Sequence, residues 1–127
     1  MTGYVANIEK LALENTNFRK VLFTVSHCQL VVMSLKPNED IGSEVHQDVD
    51  QFFRVESGEG KVVMNGEETV IKDGDVIIVP AGTEHNVMNT SSEKPLQLYT
   101  IYSPPQHKDG VVHTTKADAM ADENDHL

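Results

Sequence analysis

Apolar and polar positions change rhythm early in the chain. Within residues 7–14, Ile8, Leu11 and Ala12 recur at the spacing of one helix face and Asn7 stands where a cap is needed, so a short helix opens the fold and Asn15-Thr16-Asn17 ends it. Beyond it, apolar and β-branched runs of four to eight residues alternate with turn residues at Ser26-His27, Pro37-Asn38, Gly58-Glu59-Gly60, Asn65-Gly66, Asp73-Gly74 and Pro80-Ala81-Gly82. This punctuation predicts an all-β barrel or sandwich. Asn65-Gly66 is the sharpest local signal: a type I′ turn needs two residues at positive φ, and residues 61–64 and 68–71 supply its strands. Pro104-Pro105 stops the last strand after Tyr102, leaving a polar tail. A short helix capped by Thr115 is predicted at 116–121, and 122–127 is expected to fray.

The 127 residues, 39% hydrophobic and 24% charged, suit one folded domain spanning 1–127, with a barrel core at about 19–105 and a tail at 106–127. A net charge of -10 argues against nucleic acid and anionic membrane surfaces as partners. The apolar runs Leu30-Val31-Val32-Met33 and Val76-Ile77-Ile78-Val79 are far short of the about 20 residues that span a bilayer and read as buried strands. One cysteine, Cys28, closes no internal disulfide, and no basic start followed by a long apolar run marks a secretory signal, so the expected location is cytoplasmic. Cys28 itself reads as a small buried hydrophobe on an apolar strand.

Two stretches carry candidate chemistry. One is Gly74, five residues, then Pro80-x-Gly82-x-x-His85-x-x-x-Asn89; the other is Asn38, five residues, Glu44-x-His46, four residues, Gln51, six residues, Gly58. The first of these resembles the second motif of the cupin superfamily at every fixed position, and the other keeps the spacing of the first cupin motif with three of its five residue types exchanged. The resemblance runs from about Leu30 to Pro105. Gln29-Leu30-Val31-Val32-Met33, Asp50-Gln51-Phe52 and Tyr102-Ser103-Pro104-Pro105 are similar to a group of small single-domain bacterial cupins, some of them named mannose-6-phosphate isomerase-like.

That resemblance implies a double-stranded β-helix, a jelly-roll-like barrel, with one divalent transition metal ion inside (Fe, Mn, Ni, Co or Zn), a small-molecule ligand and a homodimer. Carried over residue by residue, it places Glu44, His46, Gln51 and His85 at the four ligand positions. Glu44 and His46, two apart on a strand, point the same way. Two imidazoles, an amide and a carboxylate keep the formal charge of the three imidazoles and one carboxylate that they replace, so a divalent ion leaves a net +1 centre. Glu44, His46 and His85 then form the two-histidine, one-carboxylate triad associated with non-haem Fe(II).

Alternatives stay open at each position. His46 and His85 can instead hydrogen-bond the backbone with no ion, Glu44 can be solvated, and Gln51 can support a ligand rather than be one. Asp48 or Asp50 replaces Glu44 or Gln51 if the loop shifts register by one residue. Gly58, Gly74 and Gly82 fall at turns, where Asn38 tolerates the conformation of the glycine it replaces. Asn89 shares the strand face of His85, where its amide can satisfy backbone groups at the barrel end. Phe53 shares the inward face of Gln51 as a pocket wall, and Arg54 points outward. Tyr99 and Tyr102 differ by three, so one of them faces inward. His27, His107, His113 and His126 lie in turns or the tail and read as solvated imidazoles.

Two functions compete. The ion acts on a small molecule as a Lewis acid in an isomerisation or beside O₂ in a dioxygenation, with Glu44 as the base if it is not a ligand, or the barrel is a non-catalytic small-ligand-binding module. A 2-oxoglutarate-dependent reaction is disfavoured, because that cosubstrate usually needs an inward basic residue and the arginines are Arg19 and Arg54.

Overall fold

A computed structural model describes residues 2–127. Asn7 caps α1 (Ile8–Glu14) by accepting from the Lys10 backbone N–H at 3.0 Å. The strands then follow as β1 (Arg19–Thr24), β2 (Gln29–Leu35), β3 (Asp50–Ser57), β4 (Glu59–Met64), β5 (Glu67–Lys72), β6 (Val76–Val79), β7 (His85–Asn89), β8 (Leu96–Ser103) and β9 (Val112–His113), and α2 (Lys116–Ala121) closes the list. They build a six-stranded sheet, β6-β3-β8-β2-β1-β9, facing a three-stranded sheet, β5-β4-β7. The paired strands run antiparallel throughout. The all-β jelly-roll-like expectation holds, with the short helix at the N-terminus.

Alternation fixes which side faces in. On β8, Leu96, Leu98, Thr100 and Tyr102 are buried, while Gln97, Tyr99 and Ile101 are half-buried on the other face. Tyr102 is therefore the inward tyrosine, packed with Phe53, Val31, Met33 and Val87 between the sheets. Each fully buried aliphatic or aromatic side chain of this kind contributes about 1.5–3 kcal/mol. The helix α1 lies on the outer face, where Ala12 is buried and the Gln97 amide donates to the Leu13 carbonyl at 2.8 Å. Asn65 and Gly66 adopt φ of 48° and 84°, the predicted I′ turn, and Asn38 takes a positive φ of 62°.

Gly60 is turn punctuation in the sequence but lies inside β4, for a reason of space. A Cβ there would stand 2.2 Å from the Met88 carbonyl oxygen of β7. The missing side chain lets β7, the strand that begins at His85, lie against β4 in register from Gly60↔Asn89 to Met64↔His85.

The tail corrects three expectations. It does not lie outside the barrel: β9 pairs with β1, Arg19 opposite His113. Residues 122–127 do not fray, because Asp125 is buried, Lys108 N–H donates to its carbonyl at 2.7 Å and Leu127 N–H donates to the Gln106 carbonyl at 3.1 Å. His107 and His113 are buried rather than solvated. The fastener is Gln29, fully buried on β2, whose amide donates to the His107 carbonyl at 2.7 Å and accepts from the His107 N–H at 3.0 Å. Cys28 is a fourth correction: it sits exposed in the β1–β2 turn, where its carbonyl accepts from the Val25 N–H. His27 and His126 are exposed, as read.

His107 is locked between Asp125, 2.6 Å from Nδ1, and the Tyr102 hydroxyl, 3.1 Å from Nε2. Burial, then the Arg19 charge, outweigh Asp125 and push its pKa down to about 4. The neutral ring thus donates from Nδ1 to Asp125 and accepts from the tyrosine at Nε2.

Two predictions follow from this packing. Gly60→Ala lowers stability by roughly 2–4 kcal/mol in urea unfolding, because backbone rather than a flexible side chain blocks the new carbon. An unfolded histidine takes up its proton near pH 6.5, a folded His107 near 4. Stability complete above pH 6.5 is therefore lost as the pH falls toward 4, by about 3 kcal/mol. Chemical unfolding at a series of pH values measures that slope, and His107→Gln flattens it.

Candidate metal centre

The two motifs are stitched together by backbone before any side chain is considered. Glu44 N–H donates to the His85 carbonyl at 2.9 Å and His85 N–H returns to the Glu44 carbonyl at 3.0 Å, an isolated antiparallel bridge between the start of β7 and a Glu44–His46 segment that, against expectation, lies outside the named strands. Gly82, at φ 82° in the Pro80 turn, donates its N–H to the His46 carbonyl at 2.8 Å. Ala81 N–H donates to the Asp50 carboxylate at 2.8 Å. The Asn65 turn holds the same loop from the other side, accepting the Glu84 N–H at its side-chain oxygen.

Glu44, His46 and His85 are brought together, one donor atom of each lying within 4.8 Å of the others. The rings of His46 and His85 stand 5.4 Å apart between centroids. His85 Nδ1 lies 2.9 Å from the Thr83 carbonyl, so it carries the proton and leaves the Nε2 lone pair free. His46 Nε2 is 2.9 Å from Glu44 Oε2, an ion-pair contact, and this buried nitrogen has no other partner. Two ligands at about 2.1 Å from one ion approach each other in the same way. Burial would raise the Glu44 carboxyl, but His46, Arg19 and His85 outweigh it and hold its pKa below the ordinary value.

Gln51 is buried on β3, its amide nitrogen donating to Thr100 Oγ1 at 2.9 Å. That bond turns Oε1 away from Thr100, and this oxygen too is buried without a partner. Asp48 is exposed, and Asp50 is exposed and occupied by Ala81, so neither displaces Glu44 or Gln51. Phe53 is buried with its ring 6.4 Å from that of His85, edge to face. Asn89 does satisfy the barrel end, donating to the Leu35, Lys36 and Lys94 carbonyls and accepting from the Ser91 N–H.

Two further groups of metal-capable side chains exist among the described residues, His107–Asp125–His126 and His113–Asp122–Asp125. Their donor atoms are spent on each other: His107 on Asp125 at 2.6 Å, His113 on Asp122 at 3.0 Å.

A cavity of about 290 Å³ opens onto the triad at Glu44, with Arg19, Phe18 and Ile41 on the barrel side and Lys116 and Met120 of α2 on the other. Phe53 does not line it. Lys116 pairs with Asp40, which tethers α2 over the opening. A larger hollow of about 550 Å³, lined by residues such as Gly58, Asp73, Lys94 and Gln97, touches none of the triad and contains no histidine. Arg19, to which the sequence reading assigned no role, is buried and lines this cavity, so an inward basic residue of the kind a carboxylate cosubstrate needs is present. The signal was local but faint: in the pattern of β1, the arginine shares the face of Val21.

Comparison with known proteins agrees with this architecture. The cupin domain family matches residues 31–102. An uncharacterised protein of Bacillus subtilis (strain 168), YrkC, is 47% identical over 127 residues, covering 95% of this chain and 68% of the relative. The crystal structure of BH2720 from Bacillus halodurans superposes with a TM-score of 0.91 at 48% identity, covering 94% of each chain. A predicted oxalate decarboxylase from Thermotoga maritima superposes with a TM-score of 0.58 at 26% identity over 61% of this chain and 66% of that one. None of these three names carries an isomerase activity. With both motifs in place, the barrel formed and the family matched across its strands, the chain belongs to the cupin family.

Proposed function

We propose that the chain holds one divalent transition-metal ion through the Glu44 carboxylate, His46 and His85, with Gln51 as a fourth donor, and acts through it on a small molecule. The observation that carries this reading is the triad already within coordinating distance, together with two buried atoms that lack hydrogen-bond partners, His46 Nε2 within it and Gln51 Oε1 on β3. Leaving a buried polar atom unpaired costs about 1–3 kcal/mol, and a bound cation removes that cost at both atoms. The donor chemistry fits: imidazole, carboxylate and amide oxygen suit Fe, Mn, Ni, Co and Zn alike.

A bound ion supplies a Lewis acid to a ligand oxygen, or a place for O₂ beside substrate. The chain's own residues do the rest. Thr83 fixes the tautomer of His85, Thr100 fixes the rotamer of Gln51, and Phe53 and Tyr102 wall the imidazoles with apolar surface. Glu44, with its pKa held below the ordinary value, is the member of the triad that lines the cavity.

Metal analysis of untagged protein should find close to one transition-metal ion per chain. His46→Ala and His85→Ala bring this to background, and Gln51→Ala weakens affinity by about 10–100-fold, the range for a weak ligand or a ligand's support. Wild-type protein that stays metal-free after incubation with Fe, Mn, Ni, Co and Zn salts would overturn the reading.

A further inference from the structure

Arg19 carries a buried charge that the metal reading leaves unexplained. The residue is 5% exposed and its guanidinium carbon lies 5.3 Å from the Phe18 ring centroid. Its Nη1 reaches His113 Nδ1 at 3.3 Å, a neutral acceptor, while the closest paired carboxylate oxygen, Asp125 Oδ2, is 4.0 Å away and already takes the short bond from His107. Its Nε is buried with no partner at all. A guanidinium has five N–H donors and is charged at any pH a protein survives, so this one is under-satisfied in a place where an unpaired charge is costly. It also lines the same cavity as Glu44, the exposed edge of the triad.

We propose that Arg19 is the anchor for the carboxylate of a small organic acid, whose 2-hydroxy or 2-oxo oxygen reaches the Glu44–His46–His85 centre. The second half of that statement rests on the metal reading; the first does not. Guanidinium and carboxylate match as two parallel N–H···O bonds, which an amide or alcohol ligand cannot reproduce. The cavity of about 290 Å³ holds roughly ten water volumes at about 30 Å³ each, which limits the ligand to a short-chain acid such as a 2-hydroxy or 2-oxo acid. Glu44, Asp122 and Glu123 share that lining, which favours a monoanion over a phosphate dianion. Phe18, Ile41 and Met120 give the carbon chain an apolar wall.

The test is titration calorimetry on the full chain, both loaded with Co(II) and stripped with EDTA, using lactate, pyruvate, the neutral isostere lactamide, and inorganic phosphate. The holoprotein binds lactate or pyruvate at least ten-fold more tightly than lactamide. Arg19→Gln removes that preference, and Arg19→Lys restores part of it, while cobalt content is measured alongside. Equal affinity for lactate and lactamide, binding of phosphate tighter than either acid, no binding of either acid by the holoprotein, or a preference that survives Arg19→Gln would each overturn the proposal. The unmutated comparison of acid with amide decides the matter even if Arg19→Gln does not fold. The two readings fail separately. A chain that takes up no cobalt but shows an Arg19-dependent acid preference loses the metal and keeps the anchor; one that holds cobalt with no acid preference loses the anchor and keeps the metal.

Discussion

The reciprocal backbone bond between Glu44 and His85 is the constraint on which the site depends. Neither residue of this bridge needs its side chain to make it, so the carboxylate and the imidazole are delivered to one place by main-chain geometry alone. Gly82 binding the His46 carbonyl adds a second main-chain tie between the motifs. Side-chain bonds add to this: Thr83 orients His85 and Thr100 orients Gln51, while Glu44 and His46 lie in the β2–β3 connection that the main-chain ties hold in place. A barrel whose motifs were tied only through side-chain contacts would lose the geometry when a ligand residue was exchanged. Main-chain ties allow glutamate and glutamine at positions where the family has histidine and glutamate.

The same barrel interior satisfies polar groups in two contrasting ways. Around Gln29 and His107 each side-chain polar group meets a partner, although Asp125 Oδ1 beside them does not, and the outcome is structural: the returning chain is fixed against β2 and β1. Around His46, Gln51 and Arg19, buried atoms are held in place by neighbours but left without partners of their own. Native interiors seldom leave such groups unpaired; Arg19 lines the cavity, and His46 lies within the triad that meets it at Glu44. Tyr102 stands between the two regions, its hydroxyl against His107 and its ring edge toward His46, with its own pKa pushed up to about 12 by burial. It stays a neutral donor on the scaffold side.

Much of this was legible in the sequence where the physics is local. Asn65-Gly66 fixes a hairpin because few residues accept two consecutive positive φ values, Thr115 and Asn7 cap helices within their own first turns, and the spacing of Glu44, His46 and His85 brings three metal-capable side chains together. What escaped depends on partners far along the chain. Asp125 looks like a frayed terminal acid until His107 and Arg19 are beside it, and Arg19 looks like a surface cation until β9 covers it. Gly60 reads as a turn because its reason, the Met88 carbonyl, comes from another strand. Cys28 was misplaced by a boundary: the apolar run of β2 begins one residue later, and the preceding position already belongs to the turn.

Charge resolves an apparent conflict in the proposed site. A chain of net -10 should repel an anion, but at physiological salt the screening length is about 8 Å, so charges across the molecule are felt weakly inside a half-closed cavity. What a ligand meets there is local. In the proposed site Glu44 would offset one charge of a divalent ion and leave a +1 centre, while Asp125 is already engaged by His107 and sits 4.0 Å from Arg19 rather than in bidentate contact. A ligand would then meet two positive centres, the ion and Arg19, beside a Lys116 that Asp40 already pairs. Such an arrangement selects by geometry, because a ligand gains only if one molecule reaches both centres at once, whereas a free anion from solution meets the repulsion of Asp122 and Glu123 at the opening with no second contact to offset it.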